Sequence, residues 1–134
     1  MLHMLDTDTA SYLIKGRSSA IEAHLATLLP ANVCISVMTH AELLYGLKRL
    51  PPEHRLHLAV RHLLKIVRVL PWDADAADFY ADIRYQLVTT GQPIGEMDMM
   101  IAAHSLSASA VLVTNNIRHY QRIAAPLILV NWSE

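Results

Sequence analysis

With one cysteine, Cys34, in 134 residues, the chain can form no internal disulfide and no cysteine-built zinc cage. The thiol falls inside the apolar run 32–36 and reads as a buried, inert side chain. Charge is also scarce. Asp, Glu, Lys and Arg make up 17% of the residues and the formal net charge is −1, which excludes a molecule that holds nucleic acid through an overall positive field. A polyanion has to be met by a local patch. Nowhere do about 18 apolar residues follow one another, as a membrane-spanning helix requires, and the N-terminus has no basic stretch ahead of a long apolar one. A soluble, cytoplasmic protein without a membrane segment is expected. No His pair has the His-Glu-x-x-His zinc spacing, no Ser or Cys stands in a nucleophile elbow, and the absence of a P-loop leaves nucleoside triphosphates unsupported as ligands.

What is present is apolar: 53% of the residues are hydrophobic, enough for one domain over 1–134 with a well-buried core. High apolar content with modest charge also suggests a sticky surface, hence an obligate partner or self-association. The charges are unevenly spread. His54, Arg55, His57, Arg61, His62, Lys65 and Arg68 crowd one segment, and Asp73, Asp75, Asp78 and Asp82 follow it.

Met1 to Leu5 reads as a buried strand ending in the polar turn Asp6-Thr7-Asp8-Thr9, with Asp8 or Thr9 capping a short helix that Gly16 closes. Ser19-Ala20-Ile21-Glu22 and Thr39-His40-Ala41-Glu42 have capping-box spacing and open two helices, the strand Val33 to Ser36 lying between them. Helical spacing of leucines predicts another helix from Glu53 to about Lys65, with a strand over Ile66 to Leu70. Residues 73–90 form a helix ended by Gly91, and a further helix starts at Glu96 and runs into an apolar strand before Thr114. Ile117 to Ile123 and Leu127 to Val130 supply a last helix and strand. Apolar strands alternating with helices specify an α/β fold, a sandwich with a mainly parallel central sheet. Ligands in such sheets bind outside the carboxyl ends of the strands.

Asp6, Glu42, Asp98, Thr114, Asn115 and Asn116 all fall at that edge. Carboxylates crowded together raise one another's pKa unless a cation neutralises them, and oxygen donors of this type suit Mg²⁺ or Mn²⁺. Such an ion polarises a phosphodiester and activates a water molecule to attack it. Each residue has a plainer reading beside this one. Glu42 is explained equally well by the capping box with Thr39, and Asp98 gains from the helix dipole with or without an ion. Asp6 is harder to dismiss, because a carboxylate directly after a buried strand is costly without a partner. Glu96 reads as a solvated first-turn acid, Asp8 as a helix cap, His104 as a satisfied interior histidine, and the histidines at 54, 57 and 62 as a solvated face.

Five pieces in order, Met4-Leu5-Asp6-Thr7, Ala41-Glu42-Leu43-Leu44-Tyr45-Gly46, Gly91-Gln92-Pro93-Ile94-Gly95 with Asp98 and Ile101-Ala102-Ala103-His104, Val113-Thr114-Asn115-Asn116, and Asn131-Trp132, resemble the PIN-domain toxins of VapBC toxin-antitoxin modules over essentially the whole chain. The resemblance implies a PIN-like three-layer sandwich and a Mg²⁺- or Mn²⁺-dependent endoribonuclease acting on a structured RNA such as a transfer RNA. It assigns Asp6, Glu42 and Asp98 as the acidic metal-site residues, with Thr114 and Asn116 in support. Asn116 stands where many PIN domains carry a fourth acid, and His119 where some relatives carry another. A cognate VapB-type antitoxin that covers the site and a homodimer are implied as well. Two other readings remain. Asp6-Thr7-Asp8 also looks like the opening motif of haloacid-dehalogenase-like phosphatases, but that chemistry needs a late lysine and the last here is Lys65. The alternative is a catalytically inert PIN-like module that binds RNA or a partner.

Overall fold

The computed structural model describes residues 1–133. Its sheet has five strands, β1 (His3–Leu5), β2 (Val33–Ser36), β3 (Arg68–Leu70), β4 (Val111–Val113) and β5 (Leu129–Val130), in the order β3-β2-β1-β4-β5. Every pairing is parallel, as expected for strands too apolar to face water on either side. Alternate residues of these strands point to opposite faces, and each face has its own core. Met4, Cys34 and Leu112 pack against Ile83, Leu87, Ile101 and Ala102, which belong to α5 (Ala74–Thr89) and α6 (Glu96–Ser107). Leu5, Ile35 and Val113 pack on the other side against Ala10, Ile21, Leu43, Val60 and Leu63. Those residues come from α1 (Thr7–Ile14), α2 (Ser19–Ala26), α3 (Val37–Lys48) and α4 (Leu56–Ile66). A short α7 (Ile117–Tyr120) joins β4 to β5. The result is a three-layer sandwich. Among the described residues no helix is long and apolar enough to cross a membrane.

The starts of α1 to α4 differ from the expected ones by one to three residues, while α6 and α7 begin at Glu96 and Ile117 as expected. Asp6, not Asp8 or Thr9, caps α1, because the extended backbone at Asp6 aims its carboxylate at the Thr9 N–H. Ser18 rather than Ser19 caps α2 by accepting from Ile21 N. Ser36 rather than Thr39 caps α3 by accepting from Met38 N. The capping box proposed for Glu42 therefore does not form; Thr39 is fully buried inside α3. Helix α4 runs on through Ile66, with Val67 N still donating to Leu63 O at 3.0 Å, so β3 begins at Arg68 rather than Ile66. Helix α7 and strand β5 are shorter than their patterns suggested, and only Leu129 and Val130 pair with β4.

This strand order creates the crevice. The chain moves outward from β1 through β2 to β3, then returns to the far side of β1 with β4 and β5. Neighbouring connections leave the sheet in opposite directions between β1 and β4, which is where parallel sheets open a site at their carboxyl edge. Asp6 follows β1 and Thr114 follows β4, one on each side of that opening.

Candidate active site

Asp6 is 3% exposed, and its Oδ1 accepts from Thr9 N at 2.8 Å. Burial raises its carboxyl above the ordinary aspartate value, the Thr114 hydroxyl and the Thr9 N–H and hydroxyl oppose that rise, and the charge of Asp8 adds to it. Thr114 is fully buried and accepts from Asn116 N at 2.9 Å. Its hydroxyl thus lies between the capping acid and the turn that starts α7.

Glu42 sits in the second turn of α3 and reaches across to α1, where the Thr7 hydroxyl donates to its Oε1 at 2.5 Å. The Thr7 oxygen is also 3.1 Å from Thr39 Oγ1. Position 7 follows Asp6 directly, so this pair ties Glu42 to the segment that carries the first acid. Asp98 lies in the first turn of α6 and is partly buried. Tyr120 Oη donates to its Oδ1 at 3.2 Å. Burial raises the Asp98 carboxyl, the Tyr120 hydroxyl lowers it, Asp8 raises it and His119 lowers it.

Asp8 belongs with these acids. It is exposed and does not cap α1, yet its charge acts on Asp6, Asp98 and Tyr120, and Asn116 Nδ2 donates to its Oδ2 at 3.0 Å. Glu96 does not belong. It is exposed, pairs with Arg84 at 3.1 Å and accepts from Tyr80 Oη at 2.7 Å. Among the described residues that is the one ion pair, so no Lys or Arg neutralises Asp6, Glu42 or Asp98. Nor do three His, Cys, Asp or Glu side chains among the described residues stand close enough to enclose a metal ion by themselves.

A PIN-domain profile matches residues 3–126, and the chain is 40% identical over 121 residues to a tRNA(fMet)-specific endonuclease VapC from Salmonella typhimurium, covering 90% of each protein. The chain belongs to the VapC ribonucleases of the PIN-domain family. Among solved structures, VapBC2 from Rickettsia felis bound to a promoter DNA fragment superposes with a TM-score of 0.91 at 32% identity, covering 98% of this chain and 99% of that one. DNA-bound VapBC from Salmonella typhimurium gives 0.90 at 34% identity, with the same coverage.

The remaining polar candidates of this PIN domain divide cleanly. His104 is 3% exposed and its Nδ1 lies 2.7 Å from Ser36 Oγ, a satisfied interior histidine that joins α6 to the end of β2. His54 accepts from Leu56 N, and His57 Nε2 lies 3.0 Å from Pro51 O; both shape the turn ahead of α4. Arg17, Lys48, Arg49 and Arg118 are exposed. Arg49 and Lys15 line, with Thr7 and Glu42, a groove of about 340 Å³ between α1, α3 and α4. A second depression of about 340 Å³ carries Asn115, Asn116, Arg118 and His119 beside the acids. Thr7, Asp8 and Tyr120 are the contributors that the sequence did not reveal. For Asp8 and Thr7 the available signal was their position in the polar turn after β1.

Proposed function

We propose that this protein is the toxin ribonuclease of a VapBC-type pair and that it cuts a phosphodiester of transfer RNA at the sheet edge that carries Asp6, Glu42 and Asp98. The observation that carries the reading is a buried Asp6 carboxylate for which the protein provides hydrogen bonds but no Lys or Arg. A carboxylate placed so deeply without positive charge is unfavourable unless something else supplies it.

The donor set fits a divalent cation. Dependence on such an ion is general among PIN nucleases, and hard oxygen donors that do not close around it suit Mg²⁺ or Mn²⁺, which retain water ligands. Bound there, the ion would supply charge to the phosphate and acidity to a coordinated water. The chain's own contribution is orientation. Thr9 N–H fixes Asp6, the Thr7 hydroxyl occupies Glu42 Oε1 and leaves Oε2 free, and Tyr120 holds Asp98. Asn116 adds no charge of its own and secures Asp8 instead.

Transfer RNA as substrate is supported by the Salmonella relative, whose name specifies tRNA(fMet). A VapB-type antitoxin partner is supported by structural neighbours solved as VapBC complexes. Leu44 and Tyr45 stand 44% and 67% exposed on α3, which is consistent with self-association. Arg49, Lys15, Arg118 and His119 are placed to meet RNA phosphates, so binding should weaken as salt rises.

The test is purified protein incubated with initiator and elongator transfer RNAs in Mg²⁺, Mn²⁺ or EDTA, beside Asp6→Asn and Asp98→Asn. Discrete cleavage that needs the divalent ion and both acids is expected, together with growth arrest on induction that either substitution relieves. Cleavage that survives EDTA would exclude metal chemistry. RNA binding without cleavage would favour the inert module.

A further inference from the structure

We propose that Tyr120 is a positioning residue for Asp98: its buried hydroxyl holds the carboxylate in the orientation in which it meets the divalent ion. The inference rests on the metal-site reading above. Tyr120 is 1% exposed and packs in the core beside Leu112 and Ile123. A ring in that place fills space whether or not it has a hydroxyl. The hydroxyl therefore needs its own explanation, because a buried O–H without an acceptor is costly. Asp98 Oδ1, 3.2 Å away, is that acceptor.

The bond also solves a problem peculiar to Asp98. A carboxylate at the third position of a helix ordinarily turns back to the free N–H groups of its own first turn, and α6 has no side-chain cap to compete for them. Here Oδ1 is instead taken by Tyr120, reaching from α7. The other oxygen lies beside Gly95, where an added Cβ would stand in ordinary contact, 3.5 Å from Oδ2. Asp6 is fixed by capping α1 and by the buried Thr114 hydroxyl, and Glu42 has Thr7.

The test compares the metal-stripped parent, Tyr120→Phe, Asp98→Asn and the double variant by Mn²⁺ titration, reading free ion by electron paramagnetic resonance, with melting in EDTA as a check on folding. Loss of an outer partner of a metal ligand typically costs 10–100-fold in affinity. Tyr120→Phe is expected to weaken Mn²⁺ binding about tenfold by the same reasoning, to leave melting in EDTA near that of the parent, and to weaken Asp98→Asn no further. Tyr120→Met, flexible and apolar, replaces it if the Phe variant does not fold. Affinity within twofold of the parent overturns the proposal, as does an equal loss from the Tyr120 change with and without Asp98. A parent that binds no Mn²⁺, or an Asp98→Asn variant that binds as the parent does, overturns the metal-site reading and this inference with it.

Discussion

Asn116 donates its side-chain amide to Asp8 Oδ2 at 3.0 Å, across 108 residues of sequence. An amide at position 116 lets an acid at position 8 approach the site without facing another carboxylate across that bond. Exchanging Asn116 for Asp should set two carboxylates at hydrogen-bonding distance. Repulsion between well-solvated charges about 4 Å apart is worth about 1 kcal/mol. Asn116→Asp is therefore expected to melt about 4 °C lower than the parent in EDTA and to recover that loss in Mn²⁺, which the added charge attracts. Thermal melts in the two conditions check it, and a variant as stable as the parent in EDTA would show that Asp8 moves away freely.

His104 makes stability depend on pH. Burial pushes its pKa below the ordinary histidine value, partly offset by Asp73. Between its folded value and about 6.5 the unfolded chain binds more protons. Its contribution is thus complete above about 6.5 and lost as pH falls through that value toward the folded pKa. Asp6 and Asp98 act with the opposite sign. Their folded values are raised, so their contribution is present below the ordinary carboxylate range and lost as pH rises through the folded values. Urea unfolding in EDTA at pH 7.5 and 5.5 should show the change toward the lower pH less favourable for the parent than for His104→Asn. Equal changes would place the acid sensitivity elsewhere.

Much of this architecture is legible in the sequence because burial is a strong signal. Runs such as Val33 to Ser36 and Val111 to Val113 are too apolar to be anything but interior strands, and their alternation with helices leads directly to a parallel sheet. An acid directly after such a strand stands out, and so Asp6 does. Helix caps were misplaced because Asp6 and Asp8, or Ser18 and Ser19, are chemically interchangeable as caps. Which one acts depends on the backbone angles where the chain leaves the strand. The support for the acids was hidden for another reason. Thr7 meets Glu42 across 35 residues and Tyr120 meets Asp98 across 22, and no local pattern encodes either distance. Tyr120 in particular has the sequence signature of a core aromatic, which its ring is; only the position of its hydroxyl reveals the second task.

Asp6 carries two duties that can be separated by substitution. Its Oδ1 caps α1, and its charge sits buried with no cation beside it. Asn keeps an acceptor for Thr9 N–H and removes the charge, while Ala removes both. Losing an N-cap costs about 1 kcal/mol, whereas removing an uncompensated buried charge relieves a penalty. Melting in EDTA at pH 7.5 should therefore rank Asp6→Asn at or above the parent and Asp6→Ala below Asp6→Asn. Both variants should lose transfer RNA cleavage, because neither offers a carboxylate to the divalent ion. If Asp6→Asn instead melts as low as Asp6→Ala, the carboxylate's charge is stabilising even without the ion, and the argument that its burial is kept for the sake of a metal would no longer hold.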